Sequence, residues 1–302
     1  MRFPASCLVC VVVIAAGAPS AIAQDVEPRG LSPAPVGTNI TGLTLAHSWG
    51  AVLLDKTLQV ENLDGSTYSL VPSYTRYIDL LGLTGRATAA LPLATGNWDA
   101  LVGVDSVEND VSRTGLGDGI VAMTVFLLGA PAMTSTEFRD YRRKTLVGFN
   151  LRVSVPIGQY DPEKLLNLGS NRWKITPALG VSHWMGNFTI EGYAGVWLFT
   201  NNTALLGDNV QSQDPLFAFQ LNAAYSFKPR LWLAAGVRQT AGGKTTVNGI
   251  AKDDPTENTR FGLILGLPIA QRHTIKLIWT TPLNTTAGGD FNTLALQWFY
   301  AW

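Results

Sequence analysis

The feature that most constrains this chain is a strict alternation of apolar and polar side chains. In residues 145–155 every second side chain is apolar or Thr, and the intervening ones are small or polar except Leu146. Successive side chains of a β-strand point to opposite faces, so this pattern predicts a strand with one apolar face. The same split recurs in 217–227, 231–239, 261–267 and 275–281.

Over the whole chain the alternation predicts about twelve strands, an even number of the kind that bacterial outer-membrane barrels use. The expected spans are 39–49, 67–77, 82–93, 118–129, 145–155, 173–184, 188–200, 216–227, 231–240, 259–268, 273–281 and 291–302. Span 118–129 fits the pattern poorly, because Ile120 and Phe126 share a face with Asp118 and Thr124.

Short turns alternate with long connections, as expected when both termini are periplasmic. The short turns are 185–187, 228–230 and 270–272, and the long polar loops are 50–66, 94–117, 156–172, 201–215 and 241–258. The connection 130–144 is an exception, because it is long although it lies at the end of the barrel where short turns are expected. Its residues 138–143 suggest a turn of surface helix.

The last strand separates a membrane barrel from a soluble sandwich. Leu294, Leu296, Trp298, Tyr300 and Trp302 share one face, and the sequence ends on the Trp. This terminal aromatic strand looks like the signal that outer-membrane assembly machinery reads, carried by Leu296, Trp298, Tyr300 and Trp302. In a soluble sandwich it would be a long, exposed apolar edge, which soluble proteins avoid. We therefore expect an all-β, transmembrane, up-and-down antiparallel barrel. Further aromatic residues near strand ends would form interfacial girdles: Tyr68, Tyr74, Trp173, Trp184, Phe199 and Trp302.

The first 23 residues predict a cleaved signal peptide, with a basic Arg2, an apolar run at 8–16 and a small-x-small site at 21–23. An uncleaved anchor is the alternative, although the run is shorter than the ~20 residues that cross a bilayer. Both cysteines, Cys7 and Cys10, fall within it, so we expect a mature chain without thiols.

The remaining chain divides into a Pro- and Gly-rich periplasmic tail at 24–38 and a transmembrane barrel at 39–302. The alternative for the tail is a small plug in the barrel mouth. The expected location is the outer membrane of a Gram-negative bacterium, in contact with the lipid bilayer, lipopolysaccharide and the outer-membrane assembly machinery. The 22 basic residues balance the 22 acidic ones, so nothing suggests nucleic acid.

Three turn-rich motifs resemble those of a family of outer-membrane transporters named for the meta pathway of phenol degradation. They are 115–118 (GLGD), 156–161 (PIGQYD) and 167–173 (NLGSNRW), and the terminal aromatic strand fits as well. The resemblance covers most of the mature chain. It implies a channel for passive uptake of small hydrophobic or aromatic solutes. A structural or surface-interaction barrel with a closed lumen is the alternative.

Charged residues on the polar strand face are the candidate selectivity residues, because a charge facing lipid would cost about 2–4 kcal/mol near the midplane. They are Arg86, Arg152, Lys174, Glu191, Arg238, Arg260 and Lys276. A positive lumen would favour carboxylates or phenolates. The alternative hypothesis, given equal weight, is that these cations pair with loop carboxylates and hold the lumen closed. Several glycines lie within the strands, Gly148 and Gly180 among them. We interpret them as sites where the strands bend rather than as residues that make room in the lumen.

We expect no enzyme, although an outer-membrane lipase is a third hypothesis. It would need a Ser and a His within hydrogen-bonding reach on the lipid face. The sequence neighbours His47–Ser48 and Ser182–His183 point to opposite faces and cannot pair, which leaves only a cross-strand pair open. No cofactor and no metal site is predicted.

Overall fold

The computed structural model describes residues 28–53, 60–102 and 107–302, and they form a closed, antiparallel twelve-strand barrel. The predicted fold class is therefore confirmed. Across these ranges, no helix has the length and apolar character needed to span a membrane. The signal peptide predicted at 1–23 lies outside the described residues.

The elements are numbered in chain order. The first half contains β1 (Asn39–Leu53), β2 (Val60–Leu80), β3 (Leu83–Ala90), β4 (Leu93–Val102), β5 (Val107–Leu116), β6 (Gly119–Leu128), α1 (Ser135–Asp140), β7 (Thr145–Val155), β8 (Lys174–Met185) and β9 (Phe188–Phe199). The second half contains β10 (Asn202–Leu205), β11 (Asn209–Gln213), β12 (Leu216–Lys228), β13 (Leu231–Gly242), β14 (Thr245–Val247), β15 (Ile250–Ala251), β16 (Thr256–Pro268), β17 (His273–Asn284) and β18 (Gly288–Ala301).

Twelve wall strands arise because two of them are interrupted. β3 and β4 follow one another across Leu91 and Pro92, and the long β2 pairs with β3 in its last part and with β4 in its first. β5 and β6 are likewise separated by Gly117 and Asp118.

The barrel closes between its first and last strands. β1 pairs with β18 from Ile40↔Ala301 to Leu53↔Gly288. Just before this ladder, Asn39 and Trp302 exchange two backbone hydrogen bonds of 2.9 Å. The terminal aromatic residue is thus part of the seam that removes the sheet edges.

The long connections contain strands that the sequence did not predict. β4 and β5 form a hairpin within the expected loop 94–117, and among the described residues β5 pairs only with β4. β10, β11, β14 and β15 form a separate four-stranded sheet from the expected loops 201–215 and 241–258. Several of these short strands, such as β11 (NVQSQ), carry polar residues on both faces and so lack the apolar stripe that the prediction depended on.

The apolar face of each wall strand points outward. In β12, Phe219 is 55% exposed, whereas its neighbour Ala218 is 6% exposed. A closed barrel with such an apolar exterior satisfies its backbone groups internally and presents hydrocarbon to lipid. This architecture confirms the predicted outer-membrane location.

The predicted aromatic girdle is partly wrong. Tyr68, Tyr74, Trp173 and Trp302 are exposed, as expected. Trp184 and Phe199 instead face inward. They occupy the alternate positions of β8 and β9 whose side chains point into the lumen, which we call the lumen parity. Trp184 packs against a cluster of buried residues inside the barrel, and the Arg172 guanidinium lies 4.6 Å from the Phe199 ring centre.

Candidate functional site

The segment before β1 lies inside the barrel. Leu31 is 3% exposed and belongs to a buried cluster with Tyr77, Phe126 and Leu146. Its backbone N–H donates to the Tyr193 hydroxyl at 3.2 Å. Of the two interpretations of 24–38, these are the contacts that a plug would make; residues 24–27 lie outside the described part. We call residues 28–38 the N-terminal plug.

The wall is shaped to receive the plug. Gly148 and Gly180 are cross-strand partners, and a Cβ atom on Gly148 would lie 2.4 Å from Leu31 Cδ2. A Cβ on Gly180 would lie 3.2 Å from Leu31 Cδ1. The β7–β8 register shows no shift at this pair. These two glycines therefore make room in the lumen, and the preference for bending is not supported there.

The plug also explains the poor alternation of 118–129. Phe126 shares the inner face with Thr124, and both are buried. An apolar side chain pointing into a water-filled lumen would be unfavourable, but Phe126 packs against Leu31. Sequence periodicity could not reveal this partner, because Leu31 lies in a segment without any repeat.

A polar network holds the first described residues of the plug. The Arg29 backbone N–H donates to Glu191 Oε2, and Glu191 Oε1 accepts a 2.9 Å hydrogen bond from Ser182. The Arg29 guanidinium stands 5.1 Å from the Trp232 ring centre. Burial, reinforced by Arg143, lowers the pKa of Arg29 to about 10, while the Glu191 charge opposes this shift. Glu191, predicted as a selectivity residue, thus contacts the plug.

Backbone hydrogen bonds fix the plug where it enters β1. Val36 N–H donates to Met133 O at 2.8 Å, and Gly37 N–H donates to Tyr77 O at 2.9 Å. The Tyr77 hydroxyl donates in turn to Ser32 O at 2.7 Å. The plug therefore contacts strands on several sides of the wall.

At the other end of the lumen, cations surround two aromatic rings. Lys174 Nζ lies 5.2 Å and Arg238 Cζ 5.6 Å from the Trp197 ring centre. Arg172, which precedes β8, lies 4.6 Å from the Phe199 ring centre and donates to Gln213 Oε1 at 2.6 Å. Burial lowers the pKa of Arg172 to about 10, while the Asp118 carboxylate raises it. We call the following residues the outer cation cluster: Arg152, Arg172, Lys174 and Arg238, with the two rings Trp197 and Phe199.

The other predicted selectivity residues are distributed around the wall. Arg86 donates to Thr124 Oγ1 at 3.2 Å. Arg260 is the cross-strand partner of Arg238 and donates to Phe291 O at 2.5 Å. Lys276 Nζ lies 5.1 Å from the Phe299 ring centre. All seven predicted residues are on the lumen parity, but they do not form one ring. Sequence reasoning missed Arg29 and Arg172, because neither lies in an alternating strand.

The three family-like motifs meet above the outer cation cluster. Asp118 Oδ1 accepts from Gly158 N–H at 3.1 Å, and Oδ2 accepts from Ser170 N–H at 3.0 Å and from its hydroxyl at 2.5 Å. A Cβ on Gly158 would lie 2.7 Å from Gly169 Cα, so two segments of the same loop need glycine to approach this closely. The motifs thus tie the loop 156–173 to the junction of β5 and β6.

A cross-strand Ser–His pair is present on the outer face. His47 Nε2 lies 3.0 Å from Ser66 Oγ, and the His ring stacks on Tyr68 at 4.2 Å. His47 also lines an apolar groove of about 950 Å³. Within the described residues, however, no side chain bonds to His47 Nδ1 to orient it. The backbone groups of β1 and β2 around the pair belong to the barrel ladder. Among the residues that the structure describes, the pair has neither the orienting group nor the oxyanion donors of a hydrolytic triad.

Comparisons with solved structures show the same fold. The chain resembles the crystal structure of an outer membrane channel from Pseudomonas putida F1, with a TM-score of 0.76, 21% identity, and 92% of this chain and 100% of that chain covered. It also resembles the transport unit of the autotransporter AIDA-I from Escherichia coli, with a TM-score of 0.52, 7% identity, and coverage of 94% and 96%. The β domain of the Bordetella autotransporter BrkA gives a TM-score of 0.51, 10% identity, and coverage of 88% and 100%.

A comparison with curated proteins found no match. A family model described as "Putative MetA-pathway of phenol degradation" matches residues 38–299, nearly the entire barrel. The chain therefore belongs to this family.

Proposed function

We propose that this protein is an outer-membrane channel for passive uptake of small hydrophobic or aromatic solutes, aromatic carboxylates and phenolates included. The observation that carries the proposal is the outer cation cluster, in which Lys174 and Arg238 contact Trp197 on the lumen face of a closed barrel. Positive side chains in a confined lumen raise the local concentration of anions. The description of the family, which refers to phenol degradation, agrees with an aromatic solute.

The N-terminal plug limits how open the path is at rest. Leu31 fills the space between Gly148, Gly180 and Tyr193. A solute can therefore pass only if the plug moves, or through a narrow passage beside it. The same observation favours a second candidate function, a closed barrel whose extracellular loops make the contacts. The β4–β5 hairpin and the four-stranded sheet would then form the contact surface.

Ion conductance of the refolded chain in planar bilayers separates the two functions. For a channel, we expect discrete openings that prefer anions, and weaker anion preference in Arg152→Glu and Arg238→Glu. Deletion of residues 28–36 should raise the conductance several-fold. Uptake of benzoate and phenol into liposomes should follow the conductance.

A barrel that inserts stably but neither conducts nor admits either solute, even without residues 28–36, would contradict the channel and support the closed-lumen function. Heat-modifiable migration on gels serves as the folding control for every variant. A matched substitution on the outer rim, Lys244→Glu, should leave selectivity close to that of the wild type, because Lys244 is exposed.

A further inference from the structure

Arg172 has an unused hydrogen-bond donor inside the protein. The residue is 8% exposed, and its Nη2 donates to Gln213 Oε1 at 2.6 Å. Its Nη1 is buried and has no hydrogen-bond partner among the described residues. Buried donors are almost always paired in folded proteins, so this arginine nitrogen calls for a partner beyond the described residues, and a bound ligand would supply one.

Lys174 places a second charge close to this donor. It lies two residues further along, at the start of β8, with its Nζ over Trp197. Arg152, Arg172, Asp118 and Arg238 all act electrostatically on Lys174. Lys174 and Arg238 share the Trp197 ring and Arg172 lies on the nearby Phe199, so the positive charges here outnumber the one carboxylate, Asp118.

The one carboxylate in this set is already engaged. Asp118 uses both oxygens to accept hydrogen bonds from Gly158 and Ser170. It holds the loops together and lowers the local positive charge only in part. An anion with two oxygens would match both the excess charge and the free guanidinium nitrogen.

The surrounding surface suits an organic rather than an inorganic anion. Trp197 is almost fully buried, and Phe199 lies below the Arg172 guanidinium. Both rings come from β9 and contact cations of the cluster. A carboxylate attached to an apolar body could therefore pair its charge with the cations and place its body beside the rings.

We propose that the outer cation cluster is a binding subsite for the carboxylate of a small organic acid, with Arg172 Nη1 and Lys174 Nζ as donors and Trp197 beside the apolar body. The subsite lies at the extracellular end of the lumen, because β8 runs from Lys174 to the tight turn after Met185. This proposal rests on the proposed channel function, in which the subsite would be the first place where an entering solute binds.

Benzoate binding to the refolded chain tests this subsite by titration calorimetry. We expect saturable binding with one site per barrel, at least tenfold weaker in Arg172→Gln and in Lys174→Met. Lys276→Met is the matched control, since it removes a lumen cation outside the cluster, and it should change the affinity less than twofold. Arg172→Lys, which keeps the charge but loses the fork of donors, should fall between wild type and Arg172→Gln. Benzyl alcohol, the neutral analogue, should bind at least tenfold more weakly than benzoate.

Equal weakening by all three neutralising variants would overturn the proposal, because it would indicate only a diffuse positive lumen. Inorganic phosphate binding as tightly as benzoate would overturn the assignment to organic acids. Conductance without saturable benzoate binding would reject the subsite and retain the channel. Benzoate binding without conductance would do the reverse.

Discussion

The Leu31 backbone N–H and the Tyr193 hydroxyl form a 3.2 Å hydrogen bond that joins the N-terminal plug to the inner face of β9. Leu31 is 3% exposed, so its N–H depends on this acceptor, whereas the Tyr193 hydroxyl also bonds to Glu191. The bond marks the depth that the plug reaches and provides the first place to test whether the plug controls the lumen.

Tyr193→Phe should loosen the plug. The variant leaves the Leu31 N–H without an acceptor, which costs about 1–3 kcal/mol for a buried donor. We expect higher conductance and faster maleimide labelling of a Ser32→Cys reporter, in a chain that begins at Gln24. Tyr74→Phe is the matched control, because Tyr74 loses a hydrogen bond to Asn39 on the outer face. Identical labelling rates in the two variants would show that the bond does not hold the plug.

Gly148→Ala should displace the plug by steric contact. The new methyl group would lie 2.4 Å from Leu31 Cδ2, and overpacking of this kind costs about 1–3 kcal/mol. We expect a lower thermal midpoint and the same increase in conductance as in Tyr193→Phe. Gly192→Ala, where nothing lies within 4 Å, should have little effect on either quantity. An unchanged Gly148→Ala barrel would mean that Leu31 is free to shift.

The cap of α1 gives a pH-dependent signal. Hydrogen bonds from the Thr134 backbone N–H and hydroxyl hold the pKa of Glu137 below its usual value of 4.5. Because the folded-state pKa is depressed, this stabilisation is complete above the ordinary pKa and is lost as pH falls through the lowered one. Side-chain NMR of ¹³C-labelled glutamate should show Glu137 titrating below 4.5, and Thr134→Ala should return it towards 4.5. A Glu137 pKa that Thr134→Ala leaves unchanged would contradict the capping box.

The Ser66–His47 pair should not hydrolyse esters. No described side chain orients His47 through Nδ1, and a histidine base needs such an orienting group to activate a serine. We expect wild type and Ser66→Ala to release p-nitrophenol from p-nitrophenyl butyrate at the same background rate. Ser66-dependent turnover, or covalent labelling of Ser66 by a fluorophosphonate, would revive the lipase hypothesis.

Trp302→Ala should impair assembly of the barrel. Trp302 stacks on Tyr300 at 5.4 Å and closes the seam through two backbone bonds with Asn39. If the ring is read by the assembly machinery, the variant should give less heat-modifiable protein in cell envelopes while refolding normally in detergent. Phe188→Ala, another exposed aromatic beside a short turn, is the control. Equal loss in both variants would indicate a general requirement for interfacial aromatics.

The wall of the barrel could be predicted because lipid imposes a simple rule on it. Span 145–155 coincides with β7, and most other spans agree within a few residues, since every second side chain must be apolar. The extracellular strands escape that rule because their exposed faces meet water rather than lipid, so no apolar stripe is required there, although residues such as Trp98 on their other face are buried. The inward direction of Trp184 and Phe199 follows from strand parity, which outweighs the general preference of aromatics for the interface.

The candidate site was only half accessible from the sequence. Residues within strands, such as Lys174 and Arg238, could be assigned to the lumen by parity. Arg172 and Leu31 could not be assigned in this way. Their positions depend on contacts made by loops and on contacts between chain segments that are far apart in the sequence. Only the motif that contains Arg172 pointed to the region, and turn residues alone do not reveal which nitrogen lacks a partner.

The location of Leu31 has a consequence for the order in which the molecule can mature. Leu31 is synthesised before any strand, yet its hydrogen-bond acceptor is made 162 residues later. This bond cannot form until β9 has been made, whereas the contacts of the plug with Tyr77 need only β2. Docking of the plug can therefore begin on an early strand, but it is completed only after the first nine strands of the chain exist.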